Sequence, residues 1–220
     1  DQFDGRAYYA AKTASDGNNR YLFGWVPTRS DNRDNGSWQW GGNLVVHKVF
    51  SDKFGNLCVG VPDSILQTFT NLKCLDSIQF PLPNEYQISL LSDDSSNTFL
   101  FEADITLSDD HNQFGILLNY DQEIDQGYAY RFNTDLHELH FGHYPNFPQN
   151  TFNDFECRRS LPNKKHHHIT ILKDDDVVCL YVDNELALSS RMCDFSKGAL
   201  GVYASDDSVL FHNMRLSTMS

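Results

Sequence analysis

Val177-Val178-Cys179-Leu180-Tyr181-Val182, then Asp183-Asn184-Glu185, then Leu186-Ala187-Leu188-Ser189-Ser190 is the stretch that decides the fold class. Two short apolar runs flank a polar break, and Asp and Asn are residues that tolerate left-handed backbone and favour turns. Neither run is long enough for an ordinary helix, and no period of about 3.6 residues extends them. The stretch reads as two β-strands joined by a tight turn.

The same rhythm fills the chain from Glu85 onward. Strand signals fall at Tyr86–Leu91, Phe99–Leu107, Phe114–Tyr120, Gly127–Phe132, His137–Phe141, His167–Lys173, Val177–Val182, Leu186–Ser190, Ala199–Ala204 and Val209–Leu216. Turn residues separate them at Ser92–Ser96, Ser108–Asn112, Asp174–Asp176 and Ser205–Ser208. Strands of this length and spacing predict an all-β, antiparallel two-sheet sandwich of jelly-roll or lectin-like type. The stretch Gly142–Pro162, rich in Phe, Asn and Pro, is expected to be a long loop across one end or face.

Toward the N-terminus, Pro62–Asn84 loses the alternation. Asp63-Ser64-Ile65-Leu66 suits a helical turn, and Pro81-Leu82-Pro83 a stiff connector. Before it lie four strand signals, Tyr8–Thr13, Arg20–Pro27, Asn43–Phe50 and Asn56–Val61, joined as successive hairpins. That is the make-up of one β-propeller blade or a small meander. The expected division is a blade-like meander over 1–69, a linker over 70–84 and the sandwich over 85–220.

Composition excludes several functions. The 220 residues carry a formal charge of −13, which repels nucleic acid phosphates and anionic lipid. At 40% hydrophobic and 13% aromatic residues the chain has material for a core, and wholesale disorder is out. No apolar run approaches the roughly 20 residues of a membrane span. Residues 1–84 hold eight basic and eight acidic side chains, so the whole excess of negative charge lies downstream. The five cysteines, Cys58, Cys74, Cys157, Cys179 and Cys193, are odd in number and lack a Cys-x-x-Cys pair. They read as reduced thiols, which favours a cytoplasmic protein; one or two bridges in a secreted chain is the alternative. The start at Asp1, with neither initiator Met nor signal-peptide pattern, reads as a piece of a longer chain.

Four stretches in order carry a likeness: Asp4-Gly5-Arg6-Ala7-Tyr8-Tyr9-Ala10-Ala11-Lys12-Thr13, Arg20-Tyr21-Leu22-Phe23-Gly24-Trp25, Trp40-Gly41-Gly42-Asn43-Leu44-Val45-Val46 and Gly55-Asn56-Leu57-Cys58-Val59-Gly60-Val61-Pro62. Together they resemble the last propeller blade of family 32 glycoside hydrolases, the invertase, levanase and fructanase group. Downstream, Phe114-Gly115-Ile116-Leu117-Leu118, Leu180-Tyr181-Val182-Asp183-Asn184-Glu185 and Leu188-Ser189-Ser190-Arg191 are similar to strands of the sandwich that follows that propeller. The resemblance covers nearly the whole chain. It implies a parent β-fructosidase that cleaves sucrose or fructans by a retaining mechanism with paired carboxylates. It places the nucleophilic Asp of Asn-Asp-Pro, the stabilising Asp of Arg-Asp-Pro and the acid/base Glu of Glu-Cys upstream of Asp1. Neither Asn-Asp-Pro nor Arg-Asp-Pro occurs in these residues. Glu156-Cys157 spells the last motif but falls in the long loop, where it reads as chance. The chain is therefore expected to be non-catalytic, bracing the propeller and lining part of the sugar funnel. Its expected partners are the missing N-terminal propeller portion, a fructoside or other neutral carbohydrate, and a second copy of itself.

Three residues are candidates for touching sugar. By the resemblance Asp4 stands at the funnel mouth, where a carboxylate accepts hydroxyl hydrogen bonds. The family's basic partner three residues on is Ala7 here, with Arg6 beside it, and a strand-start turn is the other reading of Asp4. Trp25 offers an indole for stacking or for packing inside the blade. Tyr9, amid apolar neighbours, reads more as core than as ligand. Trp38 and Trp40 alternate on one strand face and are expected to seal the blade or its contact with the sandwich.

Metal readings fare worse. His166 and His168 would share one strand face with His167 opposite, which leaves an incomplete site. Asp174-Asp175-Asp176 reads as an exposed turn, without calcium-loop spacing. No metal and no cofactor is expected, and no Gly-x-Ser-x-Gly elbow occurs. Two alternatives stand beside the hydrolase reading: a free-standing carbohydrate-binding module using its own sheet face or Tyr144, Phe147, Phe152 and Phe155, and a purely structural module.

Overall fold

The structure, a computed structural model, describes residues 3–80, 86–92, 96–108, 112–145, 157–205 and 208–219. Its N-terminal part is an antiparallel sheet of β1 (Tyr9–Ser15), β2 (Arg20–Arg29), β3 (Trp38–Ser51) and β4 (Leu57–Gly60), hydrogen-bonded in that order. Aspartates fold two of its turns. The Asp16 carboxylate accepts the amides of Asn18 and Asn19, and Asp52 accepts those of Phe54 and Asn56. Gly17 and Gly55 supply the left-handed residue each turn needs.

β3 starts at Trp38, five residues before the predicted strand. Gly41 and Gly42 carry the chain through an irregularity in the pairing with β2. A Cβ on Gly42 would lie 2.1 Å from the Val26 carbonyl oxygen, so only glycine lets the two backbones approach there.

After the expected helical turn α1 (Asp63–Leu66) come β5 (Phe69–Cys74) and β6 (Ile78–Gln79), both antiparallel to the final strand of the chain. They occupy part of the stretch predicted as a linker. An edge strand is held by its backbone, so Thr-Asn-Leu-Lys-Cys can pair without an apolar pattern.

The remaining strands are β7 (Gln87–Ser92), β8 (Thr98–Leu107), β9 (Gln113–Asp121), β10 (Gln126–Asn133), β11 (Glu138–Tyr144), β12 (Cys157–Ser160), β13 (His166–Asp174), β14 (Val177–Val182), β15 (Leu186–Arg191), β16 (Ala199–Ala204) and β17 (Val209–Met219). They form the predicted antiparallel sandwich. One sheet runs β12-β11-β10-β9-β16-β7; the other runs β15-β14-β13-β8-β17-β5, with β6 also beside β17. The expected loop Gly142–Pro162 is shorter than read: its first residues end β11 and Cys157–Ser160 forms β12, paired to β11. Phe147, Phe152, Phe155 and Glu156 lie outside the described residues.

Inward side chains of both sheets, among them Phe101, Ile105, Phe114, Phe132, Phe141, Ile171 and Leu180, make one core. The rings of Phe114 and Phe132 stack at 4.7 Å. β14 is apolar throughout because both of its faces are covered. Val178, Leu180 and Val182 point into the sandwich core, while Cys179 and Tyr181 pack with Val59, Val61 and Ala187 under the four-stranded sheet. Asp183 and Asn184 both take left-handed backbone at the centre of the turn that the Glu185 amide closes on the Val182 carbonyl.

Candidate functional site

The four-stranded sheet carries an aromatic cleft of about 290 Å³, lined by Arg6, Tyr9, Trp25, Pro27, Trp38, Gln39 and Trp40. Strand pairing builds it: Tyr9 on β1 lies opposite Trp25 on β2. Their rings meet edge to face at 5.3 Å, and Tyr9 meets Trp40 in the same manner at 6.0 Å. Trp38 lies partly buried against the sandwich core, with the Arg29 guanidinium 3.4 Å above its ring centre. Arg29 in turn donates to the Gly36 carbonyl, which fixes this end of the cleft.

Trp40 is 87% exposed and Tyr9 is 48% exposed. Among the described residues Trp40 therefore seals neither the blade nor its contact with the sandwich, contrary to its expected role, and Tyr9 is not a core residue. Flat ring faces with an Arg and an amide at the rim suit a neutral ring bearing both C–H faces and hydroxyls. Arg6, Gln39 and Trp40 were not among the sequence candidates; the alternation of Trp38 and Trp40 on one strand face was the available signal.

Asp4 lies in a different place. It is buried, and both carboxylate oxygens are engaged from within the protein. Oδ1 accepts the amides of Gly5 and Ser189; Oδ2 accepts the Ser189 hydroxyl and bonds His47 Nε2 at 2.9 Å. His47 Nδ1 reaches the Tyr181 hydroxyl at 2.8 Å, so β3, β14 and β15 meet at this one group. Burial alone would raise the Asp4 carboxyl, but the His47 bond, its charge and the Ser189 bonds hold it below the usual carboxylate range. Burial also pushes the neighbouring Cys179 thiol up, so it stays protonated and unreactive.

A second buried carboxylate, Asp34, enters the sandwich from the β2–β3 connection. The Tyr128 hydroxyl donates to its Oδ2 at 2.6 Å, His143 Nε2 lies 2.7 Å from the same oxygen, and the Cys193 amide donates to Oδ1 at 2.9 Å. Asp34–His143–Asp194 and Asp4–His47–Cys179 each bring three potential metal-binding atoms within 4.8 Å of one another. In both, the buried carboxylate already accepts N–H and O–H donors, so these clusters work as hydrogen-bond hubs.

The structure does not gather the histidine triplet. His166 bonds Thr106, His167 turns inward to Asp183, and His168 pairs with Asp104 on the facing strand. Asp174-Asp175-Asp176 forms the expected turn, and Asp176 also pairs with Arg191. Cys58, Cys74, Cys179 and Cys193 are free among the described residues.

No protein-family model and no curated protein sequence matches the chain. Solved structures do. Fructan 1-exohydrolase IIa from Cichorium intybus matches all of this chain at 13% identity and a TM-score of 0.69, and the chain covers 49% of it. The fructosyltransferase of A. japonicus matches 98% of this chain at 13% identity and a TM-score of 0.73, with 45% of that protein covered. Carbohydrate binding module CBM66 from Bacillus subtilis matches 68% of this chain at 17% identity and a TM-score of 0.50, with 97% of the module covered. The chain spans less than half the length of the enzymes it matches. The likeness bears out the expected resemblance at the level of the fold.

Proposed function

We propose that this chain is the C-terminal part of a β-fructosidase-type glycoside hydrolase. Its four-stranded sheet closes the catalytic propeller as one blade, and its sandwich braces that blade from behind. The observation that carries the reading is the fold match: it takes in nearly this whole chain and less than half of each fructose-processing enzyme. The blade's outer face supports it. Phe23 and Leu44 expose apolar side chains there beside Trp25, which suits a face covered by the preceding part of the same protein.

In this reading the retaining pair of carboxylates, about 5–5.5 Å apart, comes from outside residues 1–220. The chain contributes Trp25 and Tyr9, with Trp40 and Arg6, to the wall that holds the sugar. Asp4 acts one layer behind as a brace, because its lone pairs are taken.

The test compares this chain alone with the chain extended by its upstream residues, measuring fructose release from sucrose and inulin. Release by the extended protein and none by the chain alone is the expected result. An extended, folded protein that releases no fructose would overturn the reading.

A further inference from the structure

We propose that the outer face of the β12-β11-β10-β9-β16-β7 sheet is a carbohydrate site of its own, taking one neutral sugar unit. It is a cleft of about 240 Å³ whose walls include Tyr86, Tyr203, Arg131, Asn133, Glu138 and His140. Strand alternation sends Phe114, Phe132, Leu139 and Phe141 into the core and leaves their neighbours on this face. Cross-strand register then aligns them: Tyr203 lies opposite Gly115, Gly115 opposite Arg131, and Arg131 opposite His140. The next row sets Asn133 opposite Glu138.

Two glycines shape the floor. A Cβ on Gly115 would lie 2.6 Å from the Tyr203 ring, so that ring lies across bare backbone. A Cβ on Gly142 would lie 3.2 Å from Arg131 Nη2. The guanidinium settles in the space that Gly142 leaves, and its Nη1 donates to the His143 carbonyl at 2.8 Å. Tyr86 stacks on Tyr203 at 5.1 Å and is itself 54% exposed, which makes it a ring platform at the cleft edge.

The polar groups fit hydroxyls better than an anion. Glu138 bonds His140 at 2.7 Å beside Arg131, so negative and positive groups balance within one cleft. A sugar hydroxyl both donates and accepts; the Arg131 guanidinium brings N–H groups to the cleft, Glu138 carboxylate oxygens, and Asn133 an amide whose Oδ1 also accepts the Leu136 amide. A phosphate or carboxylate would gain Arg131 but meet the Glu138 charge. Among the described residues the four-stranded sheet covers the opposite sheet's outer face, at β14 and β15, and not this cleft. The proposal stands apart from the hydrolase reading, since it concerns binding by the sandwich alone.

The experiment titrates the full chain carrying Trp25→Ala, which removes a wall of the blade cleft, with fructose, sucrose, inulin and glucose. Calorimetry and amide chemical shifts are the readouts. The expected result is roughly millimolar binding of at least one of them, with shifts centred on Gly115, Arg131 and Asn133. Tyr86→Ala and Glu138→Gln, each confirmed folded by circular dichroism, should weaken it about tenfold. Ile124→Ala, an exposed change elsewhere on the sandwich, should leave it intact. No binding of any of the four sugars, binding indifferent to both variants, or displacement of sugar by phosphate at the same residues would each overturn the proposal.

Discussion

Asp4 accepts hydrogen bonds from Gly5, Ser189 and His47 in a buried site, and that arrangement decides how its variants behave. Asp4→Ala leaves the Ser189 amide, the Ser189 hydroxyl and His47 without their acceptor, a loss of roughly 3–5 kcal/mol in a urea melt. The pH dependence follows from the same bonds. The folded carboxyl sits below its ordinary value, so its stabilisation is full above the unfolded pKa of about 3.9 and is lost as pH falls through the lower folded value. The urea midpoint should fall on that acid limb, and Asp4→Asn should flatten the limb while lowering the plateau. A midpoint in Asp4→Asn that still falls as steeply as in the wild type would remove Asp4 from the account. The sequence placed an acidic residue here, but burial comes from strands β3, β14 and β15, more than forty residues away in the chain. Reading Asp4 as a sugar contact had no means of seeing that its lone pairs were occupied. Trp25 and Tyr9 were legible as rings; the exposure of Tyr9 was not, because an edge strand and a central strand can share one composition.

The hairpin of β14 and β15 shows what was readable at the scale of an element. Its apolar runs and its Asp-Asn break specify two strands and a turn from local chemistry alone. Asn184 has φ +56°, a conformation costing most L-residues about 1 kcal/mol and Asn or Gly much less. Asn184→Ala should therefore lower stability by about 1 kcal/mol and Asn184→Gly should be close to neutral, in paired thermal melts. Equal losses in the two variants would point to the Asn184 side chain beside Gly60 as the important feature. On β9, Gly115→Ala would set a Cβ 2.2 Å from the Tyr130 carbonyl oxygen as well as against Tyr203. Backbone cannot yield as a side-chain tip can, so a loss of at least about 2 kcal/mol is expected. Edge strands β5 and β12 were missed for the opposite reason. They are held by backbone pairing to β17 and β11, and such pairing leaves little trace in side-chain pattern.

At the scale of the molecule, the question is whether the four-stranded sheet and the sandwich unfold as one body. Arg191 on β15 argues that they do. Its Nε donates to the Pro27 carbonyl at 2.9 Å and its Nη2 to the Val26 carbonyl at 3.0 Å and to Asn43, while Nη1 pairs with Asp176. The guanidinium is nearly inaccessible to solvent, so removing it strands several buried acceptors at once. Asp34 adds a tie in the reverse direction, from the blade into the end of the sandwich at Tyr128 and His143. All three tryptophans of the chain, Trp25, Trp38 and Trp40, lie in the four-stranded sheet, whereas most strand residues lie in the sandwich. Tryptophan fluorescence and far-ultraviolet circular dichroism therefore report on different parts of one molecule. In the intact chain the two urea transitions should coincide, the signature of a single cooperative unit. In Arg191→Ala the fluorescence midpoint should drop below the dichroism midpoint, because the sheet loses its anchor while the sandwich keeps its own core. Transitions already separated in the intact chain would mean that these ties do not couple the two layers, and that the sheet depends on a neighbouring blade for its stability.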